Sequence, residues 1–302
     1  MKIRISAPLT CLTVFALFAA YTPAQSRADR FPSVGHTIMP DVAKTQQEAA
    51  KNPDATSEAD TCAFTFTSPG PNNSSMKFCV TVNGNIIDFQ KPIGIEQINQ
   101  GVIGEGYGIC DTSTGVAYYD YSDWGISSNW SGPVTLLSSP TAVKIERTTS
   151  DGLWTLTQTI AKIAGTAPYA KVTMALKNNS GSTKLAYLIR YADSDPYNAN
   201  VTGDFTENLD STFNSAWAYI SLHTTSANSP YGLMIEIIGA PNVAGSFWDG
   251  FDQNIAPGPN PCAPTANWTG TLTGVDGSIL LAVGMDLGKQ KTGTVNLKYD
   301  AF

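Results

Sequence analysis

Four consecutive segments between residues 143 and 195 alternate apolar or β-branched residues with polar ones. They span residues 143–148, 153–163, 170–177 and 184–191, and short turn-forming stretches separate them. A period of two is the pattern of a strand with one buried and one wet face. This stretch therefore predicts an antiparallel meander, and the rest of the chain has to fold around it.

The remainder of the chain is also rich in strand patterns. Further strands are predicted at residues 216–223, 231–238, 278–286 and 294–299, whereas residues 247–268 are rich in Pro and Asn and predict a long surface loop. With about fourteen strand candidates and almost no helix, two stacked antiparallel sheets are the simplest way to bury both faces. We predict an all-β chain, a large two-sheet antiparallel β-sandwich.

The N-terminus is predicted to be processed. Lys2 and Arg4 precede an apolar run, and small residues follow it before position 25, the pattern of a signal peptide over residues 1–24. Residues 25–60 are polar and predict a flexible tether with one short helix at 42–51, followed by a single domain over 61–302. The mature protein is thus expected to be secreted or periplasmic, with no membrane span.

The net charge of the chain bears on the classes of molecule that it can bind. The chain has 18 Lys and Arg against 25 Asp and Glu, a formal net charge of −7. A negative chain without a basic cluster repels phosphate, so nucleic acid is not expected as a partner.

Four cysteines remain after the signal peptide: Cys62, Cys79, Cys110 and Cys262. An even number in an exported protein favours disulfides, and three pairings are possible. Cys62 with Cys79 is the local choice, which would leave Cys110 with Cys262. A zinc site is the alternative, but no CxxC pair is present.

The region from Ile93 to Trp130 is the most aromatic part of the chain. Aromatic rings can stack on a pyranose while carboxylates accept hydrogen bonds from its hydroxyls. The ligand-binding residues predicted on this basis are Glu96, Glu105, Tyr107, Tyr119, Tyr121, Asp123, Trp124 and Trp130. The alternative is that about half of these rings belong to the core, since neighbours on a strand point to both faces.

Paired carboxylates suggest a second kind of site. Glycoside cleavage needs two carboxyl groups, and Glu105, Asp193 and Asp195 are the catalytic candidates. Asp193 and Asp195, with Asp204 and Glu207, could instead hold Ca²⁺. Turn formation and solubility are the simpler explanation of these acids, and no metal or other cofactor is predicted.

Two further polar residues have architectural interpretations. His223 follows a predicted strand and lies in no GxSxG nucleophile motif, which indicates a structural histidine. Arg190 lies on an apolar strand and needs a partner if buried, for which Asp193 or Glu146 is predicted.

Two passages carry a family resemblance: residues 145–159, which include Ser150-Asp151-Gly152, and residues 169–195, which end in Tyr-x-Asp. They resemble the galactose-mutarotase-like sandwiches, in particular the non-catalytic sandwich beside the barrel of glucoamylase-like and glucodextranase-like enzymes. The resemblance implies the supersandwich fold over about residues 83–302. It carries over no active-site residue, because mutarotases use histidines and only His223 remains beyond the tether.

The sequence thus predicts an exported β-sandwich that interacts with an oligo- or polysaccharide without catalysis. One alternative is a glycan-active enzyme, a hydrolase, lyase or epimerase, with an Asp/Glu pair. The other is a structural or cell-surface module that binds a protein through an apolar patch or an edge strand.

Overall fold

The computed structural model describes residues 61–71, 74–98, 104–122, 126–196, 207–212, 214–221, 230–239, 244–253, 259–263, 272–275 and 277–302. The predicted signal peptide, tether and short helix lie outside these residues, as does His223. The described residues contain no helix long and apolar enough to cross a membrane.

The described strands form three antiparallel sheets. The largest has nine strands in the order β15-β11-β12-β13-β17-β9-β8-β7-β6. Its strands are β6 (Val134–Ser138), β7 (Ala142–Thr148), β8 (Trp154–Ile163), β9 (Tyr169–Asn178), β11 (Glu207–Thr212), β12 (Ser215–Ser221), β13 (Pro230–Ile237), β15 (Leu272–Val275) and β17 (Thr292–Ala301).

The second sheet has five strands in the order β14-β16-β10-β4-β5. They are β4 (Glu105–Asp111), β5 (Val116–Asp120), β10 (Lys184–Asp193), β14 (Ala244–Gln253) and β16 (Ser278–Leu287). The third sheet is a meander of β1 (Phe64–Ser68), β2 (Met76–Val80) and β3 (Ile86–Gln90). The predicted all-β sandwich is confirmed, with this small sheet in addition to its two large ones.

The predicted meander is correct in its strands but not in its sheet. β7, β8 and β9 pair in sequence, whereas β10 leaves them and joins the five-stranded sheet between β4 and β16. The burial pattern explains the difference. β8 alternates buried and partly exposed residues, while β10 is buried at eight consecutive positions, as expected of a strand covered on both faces.

One hydrophobic core joins all three sheets. It includes Phe78 of the small sheet, Leu281 of the five-stranded sheet and Val172 of the nine-stranded sheet. A second cluster on the other face of the five-stranded sheet contains Tyr121 and Tyr191. The five-stranded sheet therefore has buried residues on both faces, and its inner face is the one toward the nine-stranded sheet.

Both disulfides join the cysteines in the preferred pairing. Cys62 bonds to Cys79, which ties the residues before β1 to β2. Cys110 of β4 bonds to Cys262, which holds residues 259–263 over the second cluster. Tyr121 strengthens this attachment by donating a hydrogen bond to the carbonyl oxygen of Pro259 at 2.9 Å.

One segment departs from the sequence prediction. Residues 247–268 were predicted as a loop because they are rich in Pro and Asn, yet β14 extends into this stretch and pairs along most of β16. Within β4, Gly106 allows a close backbone approach, since a Cβ at this position would lie 1.8 Å from the carbonyl oxygen of Asp120.

Candidate functional site

The turn between β2 and β3 is buried inside the sandwich. Its Asn-Gly sequence predicts a tight turn, and Gly84 has a φ of 93°, which favours glycine. Asn83 and Asn85 are only 4% and 0% exposed. Peptide groups removed from water need hydrogen-bond partners, so polar side chains have to accompany this turn into the core.

Arg190 of β10 provides the first of these partners. Its guanidinium donates to the carbonyl oxygen of Gly84 at 3.3 Å and to Oε1 of Gln158 at 2.6 Å. It also forms an ion pair with Glu105 in which Nη2 and Oε1 are 2.6 Å apart, and both side chains are fully buried. Burial alone would lower the pKa of Arg190, but the adjacent Glu105 charge raises it above its ordinary value, so the guanidinium stays charged. Burial raises the pKa of Glu105, and the Arg190 charge and the hydrogen bonds that the carboxylate accepts oppose this rise.

Glu105, a predicted catalytic and ligand-binding residue, is fully occupied within the protein. Oε1 accepts a hydrogen bond from the Tyr299 hydroxyl at 2.6 Å, and Oε2 accepts one from the Ile86 amide at 2.5 Å. The predicted partners of Arg190 were wrong. Asp193 lies three residues along β10 and faces the other side, and Glu146 points to the outer face of the nine-stranded sheet.

A second ion pair lies beside the first. Arg147 donates to Asp120 at 2.5 Å and to the Tyr107 hydroxyl at 2.9 Å, and Tyr107 in turn donates to the carbonyl oxygen of Asn83 at 2.8 Å. The Arg147 guanidinium lies 4.9 Å from the centre of the Trp130 ring, within cation–π distance.

These two ion pairs and the polar residues around them are called here the buried polar cluster. Its members are Asn85, Glu105, Tyr107, Asp120, Arg147, Gln158, Arg190 and Tyr299. The charges are paired one to one, and the residues come from both large sheets and the inserted turn. The arrangement holds the three sheets together, and it leaves Glu105 no opening to a substrate.

Glu96 has a different environment. It is 4% exposed, and its Oε1 accepts hydrogen bonds from the amides of Phe89 and Ile98 at 2.8 and 3.3 Å. Burial, together with a hydrogen bond to the Asp88 carboxyl, raises the pKa of Glu96 to about 9. Lys77 lies 2.7 Å from Asp88, so a protonated Glu96 beside an ionised Asp88 is the expected state at neutral pH.

Asp193 and Asp195 lie at the end of β10, both 3% exposed. The Ser278 hydroxyl donates to Asp193 at 3.0 Å and lies 2.9 Å from the Tyr191 hydroxyl. Asp204 lies outside the described residues, as does the side chain of Glu207. In the part of the chain that the structure describes, no three His, Cys, Asp or Glu side chains are grouped as metal ligands, and Ca²⁺ stays only the alternative interpretation of these acids.

The predicted aromatic residues do not share one face. Tyr107 points to the inner side of the five-stranded sheet and Tyr121 to its outer side, and they are 0% and 1% exposed. Tyr119 and Trp130 are partly exposed, but Tyr119 stacks on Tyr121 at 5.2 Å and Trp130 contacts Tyr107 edge to face. Asp123 and Trp124 lie outside the described residues. A stacking surface needs exposed ring faces, which the buried rings do not have.

A different set of aromatic residues lies on the outer face of the nine-stranded sheet. On β12, Trp217 and Tyr219 point outward and are partly exposed, whereas Ala216 and Ala218 point into the core and are 0% exposed. A large ring gains more from burial than an alanine does, so this orientation is not the one that hydrophobicity alone favours. The alanines suit the packing, because β12 lies against β14 and β16 of the second sheet.

Polar and apolar neighbours complete this surface. Asp210 lies opposite Trp217 across the β11–β12 pair, and Met234 lies opposite it on β13. Met234 in turn faces Asp300 on β17. We call the set the aromatic surface: Asn208, Asp210, Trp217, Tyr219, Met234, Asp300 and Phe302.

Phe302 extends the aromatic surface across a glycine. Gly232 lies opposite Tyr219, and a Cβ at this position would be 2.6 Å from Cζ of Phe302. The Phe302 ring, 47% exposed, therefore rests on bare backbone beside Tyr219. This sheet face thus carries three rings and two carboxylates, of which Asp300 is paired with Lys91 and Lys298. Rings and polar groups on one face are chemically suited to bind a polyol with an apolar C–H face.

The other half of the same outer face consists mainly of Thr and Lys side chains. Across β7, β8 and β9 it presents partly exposed Thr and Lys residues, such as Lys144, Thr159 and Thr173, which lie side by side in the pairing register. We call this half the Thr/Lys surface. It has the composition of an ordinary solvated sheet face.

The residues of the aromatic surface were not among the ligand-binding residues predicted from the sequence. Residues 215–221 alternate small and aromatic residues, so either set could face the core, and hydrophobicity alone favours burial of the aromatic set. The unusual size of the residues that alternate with alanine was the available signal.

No protein-family model matches the chain, and no curated protein matches it. Solved structures with a similar fold include a bacterial glucoamylase complexed with acarbose, at 12% identity and a TM-score of 0.49, covering 81% of this chain and 33% of that chain. A putative aldose 1-epimerase from Escherichia coli K12 aligns at 10% identity and a TM-score of 0.40, covering 79% of this chain and 99% of that one.

A heparan sulfate lyase HepC mutant from Pedobacter heparinus aligns at 9% identity and a TM-score of 0.42. The alignment covers 87% of this chain and 42% of that chain. The chain thus spans well under half the length of the glucoamylase and of the lyase. At these identities and TM-scores the likeness concerns the fold alone.

Proposed function

We propose that the chain is an exported β-sandwich that binds a saccharide without cleaving it, and that the aromatic surface is its binding site. The observation that carries the proposal is the orientation of β12, which turns Trp217 and Tyr219 toward solvent and alanines toward the core. Partly exposed aromatic rings beside hydrogen-bond acceptors match the apolar face and the hydroxyl groups of a pyranose.

Two further features support the proposal. The buried polar cluster uses Glu105 for architecture, which removes one of the three predicted catalytic carboxylates from the list of accessible acids. The two disulfides are typical of proteins that fold in an oxidising compartment, in agreement with the predicted export.

The test is a glycan array with the purified chain from Gln25 onward, combined with incubation of the same glycans and analysis for products. We expect binding without products. Trp217→Ala should weaken binding about fivefold, as expected for the loss of about 1 kcal/mol of stacking, and Thr157→Ala on the Thr/Lys surface should leave it unchanged.

Trp124→Ala tests the site predicted from the sequence. Loss of binding in Trp124→Ala but not in Trp217→Ala would move the site to the region from Glu96 to Trp130. Released products would replace the non-catalytic role by that of a glycan-active enzyme. Absence of binding to every glycan would overturn the proposal.

A further inference from the structure

The row of outward side chains that contains Trp217 runs over β12, β13 and β17 toward β9. Trp217 of β12 lies opposite Met234 of β13, and Met234 lies opposite Asp300 of β17. In the sheet order β9 is the next strand after β17. Neighbouring strands are about 4.8 Å apart, so about 14 Å separates β12 from β9. A site that uses the whole row is therefore longer than a single pyranose ring.

Tyr169 lies at the β9 end of this row. Ala170 pairs with Tyr299, and the continuation of this antiparallel register places Tyr169 beside Asp300. Ala170 is 0% exposed and belongs to the hydrophobic core, whereas Tyr169 is partly exposed and points to the outer face. Nζ of Lys298, which also points outward, lies 5.5 Å from the centre of the Tyr169 ring. The row therefore has an aromatic ring at each end.

Hydrogen-bonding groups lie between the two rings. The Asp300 carboxylate forms ion pairs with Lys91 and, at 2.8 Å, with Lys298, whose side chain is 23% exposed. A carboxylate accepts hydrogen bonds and an ammonium group donates them, while a sugar hydroxyl can do both. This middle part of the row thus suits the hydroxyl groups of a saccharide that extends from one ring to the other.

On the side of the row away from Tyr219, the neighbouring outward row contains no aromatic residue. On the same four strands it consists of Ser215, Glu236, Lys298 and Lys171. The outward rings of these strands thus gather at the end of the sheet face that bears the aromatic surface, and Tyr169 belongs to that end.

Charge indicates the kind of saccharide. The chain has a net charge of −7, which repels a polyanion. Lys91 and Lys298 are already paired with Asp300, so a carboxylate or sulfate group of a ligand would have to compete with this acid for both lysines. An uncharged saccharide can instead hydrogen-bond to the ion pairs through its hydroxyl groups without breaking them.

We propose that the saccharide bound at the aromatic surface is an uncharged oligosaccharide of several units, which lies across β12, β13, β17 and β9 from Trp217 to Tyr169. Tyr169 stacks on a sugar unit at the far end, and Asp300 with its two lysines hydrogen-bonds the units in between. This inference rests on the proposed function, because it extends the same site by one stacking residue.

Calorimetric titration of the full mature chain with saccharide fragments of two and six units tests the extension. The probes are fragments of cellulose, amylose, mannan and xylan, all of them uncharged. A two-unit fragment reaches only the rings around Trp217, whereas a six-unit fragment reaches Tyr169 as well. For at least one of these polysaccharides we expect the six-unit fragment to bind about fivefold more tightly than the two-unit fragment, through one more stacking contact.

Tyr169→Ala should abolish this length dependence, because it removes the ring at the far end of the row. It should weaken binding of the six-unit fragment about fivefold and leave binding of the two-unit fragment unchanged. Tyr169→Phe is the matched control: it keeps the ring, so it should keep the parent affinity for both fragments. Melting temperatures of the two variants check that the fold is intact.

Equal affinity of the parent for the two lengths would overturn this inference. So would a Tyr169→Ala protein that binds the six-unit fragment as tightly as the parent, or one that loses both fragments equally. Tighter binding of a six-unit polygalacturonate fragment, which has a carboxylate on every unit, would overturn the uncharged class. All of these results leave the proposed function in place if Trp217→Ala weakens binding. Absence of binding to every fragment would overturn the inference, and the glycan array then decides the proposed function separately.

Discussion

Aromatic and acidic residues occur both in the buried polar cluster and in the aromatic surface, which lie on opposite sides of the nine-stranded sheet. Tyr299 and Asp300 are neighbours on β17, yet Tyr299 points inward and hydrogen-bonds Glu105, while Asp300 points outward as part of the aromatic surface. Inside, each charge has one partner and the group supports an inserted turn. Outside, Trp217 and Tyr219 are partly exposed, and Asp300 pairs with the flexible side chains of Lys91 and Lys298. Aromatic and acidic residues in a sequence therefore indicate a binding site only when it is known which of their side chains are exposed.

The largest expected effect follows from unpairing a charge in the buried polar cluster. Glu105→Gln leaves the Arg190 charge buried without a counter-ion, which should lower the free energy of unfolding by about 3–5 kcal/mol. Urea titration followed by fluorescence measures it.

Glu236→Gln is the control for Glu105→Gln. Glu236 lies 3.9 Å from Lys298 on the exposed face, and its loss should cost below about 0.5 kcal/mol. Equal effects of the two substitutions would contradict an architectural role for Glu105.

The next largest effect concerns pH. The folded-state pKa of Glu96 is raised to about 9 from an ordinary 4.5, so the folded protein binds more protons than the unfolded chain between these values. Stability is therefore highest below the unfolded pKa and falls as pH rises, by about 2–3 kcal/mol between about pH 6 and pH 8.

Glu96→Gln should remove this loss, because the amide stays neutral. Unfolding free energies of both proteins at several pH values check the prediction. A parent whose stability is constant or rises over this range would show that Glu96 ionises normally.

A smaller effect is expected from the inserted turn. Gly84→Ala places a Cβ 2.5 Å from Nε2 of Gln158 at a φ of 93°, so it should cost about 2 kcal/mol or more through strain and a displaced hydrogen bond. Gly152 also has a positive φ, 73°, but nothing lies within 4 Å of a Cβ there. Gly152→Ala is therefore the control for the effect of a positive φ alone. The difference in melting temperature between Gly84→Ala and Gly152→Ala measures the cost of the contact between the new Cβ and Gln158. No difference would mean that the turn is not held in the core.

The smallest effect on stability is expected on the aromatic surface. Trp217→Ala removes a ring that is only partly buried and leaves the inward alanines in place, so the free energy of unfolding should fall by about 1–2 kcal/mol. Trp154→Ala is the contrast: Trp154 is fully buried, and its loss should cost about 3–5 kcal/mol. Calorimetry on both variants distinguishes the two environments. A loss of stability in Trp217→Ala as large as that in Trp154→Ala would place the Trp217 ring in the core.

Much of the fold was predictable because strand patterns are local. The alternation over β7, β8 and β9, the Asn-Gly turn before Ile86 and the local Cys62–Cys79 pairing all depend on residues close in sequence. β14 was not predicted, since its support comes from β16, which follows it at a distance along the chain. The path of β10 into the second sheet was not predictable either, because alternation specifies a strand but not its neighbours.

The sequence by itself determined the strand content, the class of fold and the residues available for disulfides, because period-two patterning and cysteine number are properties of the chain. Only the tertiary structure decided which of these residues meet solvent. A strand such as β12 can turn either of its two faces inward, and the close approach of β14 and β16 favours the alanines there. The packing of the two large sheets around the inserted turn buries Glu105 with Arg190, whereas Trp217 and Tyr219 lie on the outer face of the nine-stranded sheet.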